Sequence, residues 1–189
     1  MSEKKYTGAI DQGTTSTRFI LFTKNGEPAA SHQIEHKQIY PQAGYVEHDA
    51  LEIWINTQEC IKQTLLKSSI KPEEIAAIGI TNQRETTVIW DKNTGIPLYN
   101  AIVWQDLRTA DICGQLAKTG SPDEASSDAK LGQYRFQKTT GLPLATYFSG
   151  PKIKWLMDNI PAVAGAVKTG SAIFGTMDTW IIWNLTGVH

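Results

Sequence analysis

Residues 6–18 limit the possible folds more than any other part of the chain. Apolar residues on both sides, at 9–10 and 19–22, predict two short strands. The polar residues between them predict a tight turn, in which we expect Gly13 to adopt a positive φ. Hydroxyl side chains occupy all four positions from 14 to 17. This part of the chain is therefore a predicted β-hairpin whose turn is rich in hydrogen-bond donors.

The composition of this turn is typical of a phosphate-binding loop. Backbone N–H and side-chain O–H groups suit the oxygens of a polyphosphate, and the carboxylate of Asp11 can hold the divalent cation that a polyphosphate carries. An ordinary polar hairpin turn explains the same residues equally well at this point. Neither a P-loop sequence nor a dinucleotide-binding glycine sequence occurs in the chain. Nucleotide chemistry would therefore use residues 11–15.

Composition and charge restrict the class of ligand. The 189 residues are 41% hydrophobic and 20% charged, and the formal net charge is -1. These values are typical of a globular domain and provide no basic field that would attract nucleic acid. No apolar run is long enough to span a membrane or to form a signal peptide, so we expect a cytoplasmic protein. Cys60 and Cys113 are far apart in predicted helices, which argues against a disulfide framework or a zinc site.

The first half of the chain predicts a meander of strands followed by a helix. A turn at Asn25-Gly26 leads into a third strand at 29–35. Asp49, with Glu52 three residues later, predicts the start of a helix that runs to 68–69. The apolar stripe by which this helix is expected to pack on the sheet consists of Leu51, Trp54, Ile55, Ile61 and Leu65. Residues 75–81 are almost wholly apolar and predict a strand buried on both faces.

The second half predicts further strands at 86–90 and 101–104 and helices at 109–118, 151–158 and 180–185. Residues 120–132 have the composition of a surface loop, and residues 141–149 that of an irregular segment. Asp178 is expected to cap the last helix, which should end at Gly187. The predicted fold is an α/β domain whose mixed sheet has three antiparallel strands leading into parallel strands, flanked by helices.

Polar side chains follow two of the predicted strands. If those strands lie parallel in the middle of one sheet, Asp11, Arg84, Glu85 and Gln105 should converge at the carboxyl ends of the strands. An Arg-Glu pair there can bind a small polyol, because the guanidinium donates to neighbouring hydroxyls while the carboxylate accepts from one. The alternative is a solvated Arg and Glu that pair with each other.

Several other polar and aromatic residues have a structural explanation that is at least as good. Trp104 and Tyr147 can form the apolar wall of such a pocket, although core packing is the default for any one tryptophan. Asp178 is better explained as a helix cap than as a base. His32 and His36 fall on one face of a predicted strand, which indicates a partly exposed edge rather than a metal site. The four histidines of the chain show no ligand spacing.

Six segments occur in a recognisable order, at residues 9–16, 44–49, 78–87, 100–105, 147–149 and 174–180. Together they resemble the N-terminal portion of the glycerol kinase branch of the FGGY carbohydrate kinase family. The resemblance covers nearly the whole chain, and the Asn-Gln-Arg-Glu-Thr-Thr block at 82–87 is specific to the glycerol branch. Tyr45 stands where the family usually has Trp, and Thr146 where some members have Pro. Neither position is an expected contact, so these departures concern subfamily rather than activity.

This resemblance implies an actin-like fold in which two ribonuclease-H-like domains close over ATP, Mg²⁺ and glycerol. It implies transfer of the γ-phosphate of ATP to glycerol, which gives glycerol 3-phosphate. Carried over by position, it assigns water-mediated Mg²⁺ coordination to Asp11. It assigns phosphate contacts to Gln12, Gly13, Thr14, Thr15, Ser16 and Arg18. It assigns glycerol hydrogen bonds to Arg84, Glu85 and Tyr147, and places Trp104 against the glycerol carbons.

In this family a second domain supplies the general base, the rest of the glycerol pocket and the adenine site. We therefore expect residues 1–189 to be a single N-terminal domain, truncated at its C-terminal end, with no catalytic base and no activity alone. The full-length parent is expected to be a homo-oligomer. Two alternatives remain open: another FGGY sugar kinase acting on a longer polyol, and a non-catalytic binding or interaction module.

Overall fold

The computed structural model of the chain describes residues 4–119 and 132–187, so residues 120–131 of the predicted surface loop lie outside it. The strands are Tyr6–Gln12 (β1), Ser16–Thr23 (β2), Pro28–Glu35 (β3), Glu47–His48 (β4), Ile75–Asn82 (β5), Thr87–Asp91 (β6), Ala101–Ile102 (β7) and Ala172–Thr176 (β8). The helices are Ala50–Ser68 (α1), Ala110–Thr119 (α2), Gln137–Thr140 (α3), Ser149–Asn159 (α4), Pro161–Thr169 (α5) and Met177–Thr186 (α6). None of the helices in the described ranges combines the length and the hydropathy needed to cross a bilayer.

The chain divides into two compact units. The first consists of Met1–Gln38, His48–Arg84 and Gly175–His189. The second consists of Ile39–Glu47 and Glu85–Phe174. Each unit has its own sheet and its own hydrophobic core.

The sheet of the first unit has the strand order β3-β2-β1-β5. Strands β3, β2 and β1 are antiparallel neighbours, whereas β5 runs parallel to β1. The structure thus confirms the predicted mixed sheet, in which three antiparallel strands lead into a parallel one. Asp11 is opposite Arg18 in the hairpin and opposite Thr81 in the parallel pair. The carboxyl ends of β1 and β5 therefore lie side by side.

Helix α1 begins where the sequence predicts. Asp49 is its N-cap, and its Oδ1 atom accepts hydrogen bonds from the backbone N–H groups of Leu51 (2.8 Å) and Glu52 (3.3 Å). These bonds satisfy two of the N–H groups that have no partner within a helix. The helix ends at Ser69, which adopts a left-handed conformation with φ of 56°.

The predicted apolar stripe of α1 is partly wrong. Leu51 and Ile55 are 43% and 59% exposed. The buried face is formed instead by Ile53 together with four small or polar residues, namely Ala50, Thr57, Cys60 and Thr64. The hydroxyls of Thr57 and Thr64 donate to the carbonyls of Ile53 and Cys60, both at 2.8 Å, so these threonines are buried without an unsatisfied group. Hydrophobicity alone therefore misplaces the stripe.

The core of the first unit lies between the sheet and helices α1 and α6. Its buried residues are Ile10, Phe19, Leu21, Cys60 and Ile181. The prediction that β5 is buried on both faces is wrong, because residues 76–79 are exposed and Ile78 is 44% exposed. Within the described ranges β5 is an edge strand with β1 as its neighbour. Its apolar residues thus lack the cover that a central strand would have.

The second unit is built on a sheet of order β4-β7-β6-β8. Strands β6 and β7 are antiparallel, with Thr87 opposite Ile102. We expected Gln105 to converge with Asp11 if their strands lay parallel in one sheet. That condition is not met, because β7 belongs to a different sheet from β1 and pairs antiparallel with β6. The buried residues of this unit's core are Ile89, Ile102, Leu156 and Val163.

The helices of the second unit agree in part with prediction. Helix α4 contains Pro151 in its first turn, as expected, and α2 covers the predicted helix to within one residue at each end. Helix α5, which begins at Pro161 and is followed by Gly170 at φ of 70°, was not predicted from the sequence. Strand β8, which shows no clear alternation, was not predicted either. Both cysteines are free thiols; Cys60 is buried and Cys113 is half-buried.

The role predicted for Asp178 as a helix cap is wrong. Helix α6 has Thr176 at its N-cap position and Asp178 as its second residue. The Asp178 carboxylate accepts a hydrogen bond from Asn82 Nδ2 at 2.8 Å and another from the hydroxyl of Thr176. It therefore ties the start of α6 to the end of β5. The helix ends at Gly187, as predicted, with φ of 68°.

Candidate functional site

The turn between β1 and β2 is closed by a single backbone hydrogen bond. The N–H group of Gly13 donates to the carbonyl of Ser16 at 2.9 Å. The expected positive φ at Gly13 is wrong. A Cβ atom at this position would instead lie 3.3 Å from the Ser16 carbonyl oxygen, so close approach of the backbone explains the glycine. The turn leaves the side chain of Thr15 exposed.

Asp11 lies at the carboxyl end of β1 and forms an ion pair with Arg18 of β2. The carboxylate and guanidinium are 2.7 Å apart, and both side chains are partly exposed. Such a pair contributes only about 0–1 kcal/mol to stability, so either group can change partner at little cost. Mg²⁺ is often held by one carboxylate together with phosphate oxygens and water, and Asp11 fits that description. In the described ranges, no group of three or more His, Cys, Asp or Glu side chains could hold a metal ion.

The side chain of Gln12 faces the interior and holds the turn from beneath. It is fully buried, and its Nε2 atom donates to the carbonyl of Gly13 at 2.8 Å. Gln83, which follows β5, donates from its own Nε2 to Gln12 Oε1 at 3.0 Å and to Gly13 O at 3.2 Å. Its backbone N–H also donates to the Gln12 carbonyl at 2.7 Å. The two adjacent strand ends are thus joined through glutamine side chains.

Two histidines support the same turn from another side. The rings of His36 and His48 are in edge contact, 4.5 Å apart between centroids. His36 Nε2 donates to the carbonyl of Thr14 at 2.9 Å. His48 Nε2 bonds Gln38 Oε1 at 2.9 Å and its Nδ1 accepts from Gln83 at 3.2 Å. The chain thus places these two histidines in one buried network, although their spacing in the sequence indicates no such contact.

Both histidines are neutral near pH 7. Burial lowers the pKa of His48 to about 3, and the nearby His36 ring adds to the effect. Burial also lowers the pKa of His36, against the opposing hydrogen bond to Thr14. The interpretation of His36 as part of an exposed strand edge is therefore wrong: β3 ends at Glu35, and His36 is buried directly after it. A neutral imidazole can both donate and accept, as the two ring nitrogens of His48 do here.

In the second unit, Glu85 has an unusual backbone and a fixed side chain. Its φ is 66°, in the left-handed region that residues other than glycine rarely adopt. Its Oε2 atom accepts from the N–H group and from the hydroxyl of Ser149, at 2.9 and 2.8 Å. Ser149 is the first residue of α4, and a carboxylate is stabilised at the N-terminus of a helix. Its other carboxylate oxygen, Oε1, takes no part in the contact with Ser149.

Trp104 and Tyr147 lie together in the same unit as Glu85. Their rings meet edge to face with centroids 5.8 Å apart. Tyr147 also packs against Phe148, at 5.2 Å between centroids. The backbone N–H of Trp104 donates to the hydroxyl of Thr86, the residue after Glu85, at 3.2 Å. Three of the predicted glycerol contacts therefore come from distant parts of the sequence to one place.

A cavity of about 290 Å³ opens beside Glu85. Its walls are mainly apolar and include Leu142, Leu144, Phe148 and Pro151. A mainly apolar cavity with a single well-placed carboxylate is typical of small-molecule sites.

A buried ionic cluster fixes the segment that follows Trp104. The guanidinium of Arg108 donates to both oxygens of Asp106, at 2.9 and 2.8 Å, and lies 2.9 Å from Glu47 Oε1. It also contacts the faces of two aromatic rings, 4.0 Å from the centroid of Tyr45 and 4.7 Å from that of Trp155. Burial acts to lower the pKa of Arg108, but its bonds to the two carboxylates outweigh burial and raise it.

Two further predicted contacts have exposed side chains. Arg84 is the last residue of its segment of the first unit, whereas Gln105 belongs to the second. The convergence of Asp11 with Arg84 and Glu85 stays a prediction. The structure adds three residues that support the phosphate turn and that were not predicted from the sequence, namely Gln83, His36 and His48. Two of them could have been found, because Gln83 and His48 lie within the segments at 78–87 and 44–49 that carry the family resemblance.

Comparison with known proteins gives a consistent result. Residues 6–189 match the family profile described as "FGGY family of carbohydrate kinases, N-terminal domain". The chain is 57% identical over 183 residues to a protein named glycerol kinase from Roseiflexus sp. (strain RS-1), covering 97% of this chain and 34% of that protein. It is 55% identical over 183 residues to a glycerol kinase from Beijerinckia indica, with the same coverage of 97% and 34%. The chain thus spans about a third of the length of the curated relatives it matches.

Solved structures give the same picture. A crystal structure of Plasmodium falciparum glycerol kinase with ADP has a TM-score of 0.83 and 34% identity, covering 99% of this chain and 35% of that chain. A gluconate kinase from Lactobacillus acidophilus has a TM-score of 0.78 and 26% identity, covering 97% of this chain and 33% of that one. The fold is consistent with that of actin-like ATPases.

Proposed function

Because this chain belongs to the FGGY family of carbohydrate kinases, we propose that it is the N-terminal domain of an ATP-dependent glycerol kinase. The reaction transfers the γ-phosphate of ATP to glycerol and gives glycerol 3-phosphate. Relatives named glycerol kinase are 51% to 57% identical to the chain, which supports glycerol as the acceptor. The observation that carries the proposal is the cluster of Glu85, Trp104 and Tyr147 within one unit.

In the proposed site, the turn between β1 and β2 binds the phosphates of ATP. The contacts come from Gln12, Gly13, Thr14, Thr15, Ser16 and Arg18. Asp11 holds Mg²⁺ through water, and Mg²⁺ when bound neutralises charge on the phosphates. The Gln12 side chain is occupied with Gly13 and Gln83, so we infer that Gln12 acts mainly by shaping the turn. His36 and His48 keep that shape by holding the carbonyl of Thr14 directly and through Gln38.

The acceptor side is formed by residues that suit a small triol. Glu85 keeps Oε1 for a glycerol hydroxyl because Ser149 occupies Oε2. Arg84 and the phenol of Tyr147 supply further hydrogen bonds, and the ring of Trp104 packs against the carbon chain. Together these groups orient one hydroxyl, and orientation accounts for much of the catalysis of phosphoryl transfer.

We assign no general base to this chain. We propose that this base lies with the adenine site in a second domain, as the family resemblance implies. Phosphoryl transfer depends on groups held in position around both substrates, so the 189-residue chain alone should not turn over. A cytoplasmic location and a homo-oligomeric complete protein also stay predictions.

A chimera tests the proposed function. Residues 1–189 replace the matching third of the Roseiflexus glycerol kinase, and ADP formation is measured with and without glycerol. We expect glycerol-dependent turnover of about 1–100 s⁻¹ from the chimera. We expect none from the chain alone, and a loss of at least tenfold in kcat/KM for the Glu85→Gln chimera. Turnover at ordinary kinase rates by the chain alone would refute the assignment of the base to another domain.

The same chimera separates the alternatives. Gluconate and xylulose are offered as competing acceptors, since kinases named for them have similar structures. A higher kcat/KM for either sugar would replace glycerol as the substrate. Calorimetry of the 189-residue chain with glycerol and with Mg-ATP is the second measurement. Absence of heat in both titrations, together with an inactive chimera, would favour an interaction module.

A further inference from the structure

Lys152 is a buried cation that no catalytic assignment uses. Its side chain is 0% exposed, and its Nζ atom donates to the carbonyl of Glu85 at 2.9 Å and to the carbonyl of Tyr147 at 2.7 Å. Both acceptors belong to residues assigned above to glycerol. One ammonium group therefore joins the main chain of two proposed substrate contacts.

The position of Lys152 is unfavourable for a positive charge. Lysine is almost never fully buried, and this one lies in the first turn of α4, at the positive end of the helix dipole. Burial lowers the pKa of Lys152 to about 8, although Glu85 and Asp106 oppose the effect. Burying this charge therefore has a cost in stability, which its hydrogen bonds to the two carbonyls offset in part.

The groups that Lys152 holds explain what the charge accomplishes. Glu85 has φ of 66°, and a non-glycine residue in that region is strained by about 1–3 kcal/mol. Its carbonyl accepts from Lys152 and from the Thr87 hydroxyl at 3.2 Å, whereas the Ser149 hydroxyl, 3.3 Å away, gives its one proton to the shorter bond with Glu85 Oε2. Of the two donors only Lys152 is charged, and a charge-assisted hydrogen bond is the stronger kind. The left-handed backbone in turn directs the Glu85 carboxylate to Ser149.

We propose that Lys152 is a positioning residue of the acceptor site: its ammonium holds the strained Glu85 peptide and the Tyr147 peptide in the arrangement that binds a small polyol. This inference rests on the proposed function. Without the ammonium, the Glu85 backbone relaxes toward the ordinary region of φ and its carboxylate leaves Ser149. Tyr147 loses its anchor at the same time, so both contacts move away from the acceptor.

The test compares Lys152→Met with Lys154→Met. Met keeps the length of the side chain without its donors, and Lys154 is a suitable control because it lies on the same helix, is exposed and pairs with Asp158 at 2.7 Å. In the chimera, Lys152→Met should lower kcat/KM for glycerol by about tenfold to hundredfold, with KM for ATP within twofold of the parent. Lys154→Met should leave both unchanged.

A second measurement needs no activity. Hydrogen exchange in the 189-residue chain should become faster in Lys152→Met for residues 147–151 and 85–88, with the second half of α4 unchanged. Lys152→Gln, which can reach one carbonyl at most, is the second variant and should be intermediate in both assays. An inactive parent chimera with the expected exchange pattern would count against glycerol phosphorylation while supporting the positioning. Unchanged exchange, or an equal loss for glycerol and ATP together with a lower melting temperature, would overturn it.

Discussion

Replacing Arg108 with Met should strongly destabilise the second unit. Arg108 is fully buried, with three hydrogen bonds or ion contacts to Asp106 and Glu47 between 2.8 and 2.9 Å. Removing one partner of a buried ion pair costs about 3–5 kcal/mol, because the remaining charges lose their counter-ion. The contacts with the rings of Tyr45 and Trp155 would also be lost, at roughly 0.5–2 kcal/mol each.

Other donors to the stranded carboxylates reduce that cost. Asp106 Oδ2 keeps the N–H group of Val46 at 2.7 Å, and Glu47 Oε1 keeps the phenol of Tyr99 at 2.8 Å. We therefore expect a net loss of about 3–5 kcal/mol in the free energy of unfolding, because these donors offset about as much as the lost ring contacts add. Since small domains have only about 5–15 kcal/mol in total, the effect should be easy to measure.

Urea unfolding at pH 7, followed by circular dichroism and by fluorescence, provides the measurement. Arg108→Lys is the control: it keeps the charge but loses the planar fork, and should cost less than Arg108→Met. Adding Glu47→Gln to Arg108→Met should recover part of the loss, because one stranded charge is then removed. A loss below about 1 kcal/mol for Arg108→Met, or a double variant no more stable than the single one, would refute the reasoning.

Three further predictions concern the first unit. His48 takes up its proton near pH 6.5 when unfolded but at about pH 3 when folded, so the free energy of unfolding should be highest above pH 6.5. The free energy of unfolding should fall as the pH drops from 6.5 to 3, by up to about 1.4 kcal/mol per pH unit. Urea titrations at several pH values should show a weaker dependence of this free energy on pH for His48→Gln than for the parent. Gly8→Ala should lower the free energy of unfolding by about 1–3 kcal/mol, because the new Cβ would lie 2.7 Å from the ring of Phe19. Gly79→Ala in the neighbouring strand is the control and should be nearly neutral, because its Cβ would meet no atom within 4 Å. Equal melting temperatures for the two variants would contradict this prediction. Asp11→Asn should lower kcat of the chimera at least a hundredfold. The melting temperature should change little, because the ion pair between Asp11 and Arg18 is partly exposed. A normal kcat would exclude Asp11 from the phosphate site.

Local signals in the sequence were sufficient for most elements of the first unit. The hairpin at β1 and β2 follows from two apolar runs around a polar turn, and the start of α1 follows from Asp49 and its two backbone donors. The end of α6 at Gly187 follows from the preference of glycine for a left-handed φ. Each of these depends on neighbours within a few residues.

Features that depend on distant contacts were predicted less well. The buried face of α1 includes Thr57 and Thr64 because their hydroxyls bond the helix backbone, which a hydrophobic pattern does not show. The meeting of His36 with His48 depends on packing within the first unit, to which both residues belong although twelve positions separate them in the sequence. The burial of Lys152 runs against the ordinary preference of lysine for water, so no pattern could have predicted it.

The sequence by itself determined the family, the mixed sheet and the chemical character of the phosphate turn, because these depend on residue types at short spacing. Only the tertiary structure decided which groups support the proposed site: the two glutamines and two neutral histidines under the turn, and the ammonium that joins Glu85 to Tyr147. The physical reason is that a buried polar group is stable only when its partner arrives from elsewhere in the chain, and the identity of that partner is set by packing rather than by local sequence.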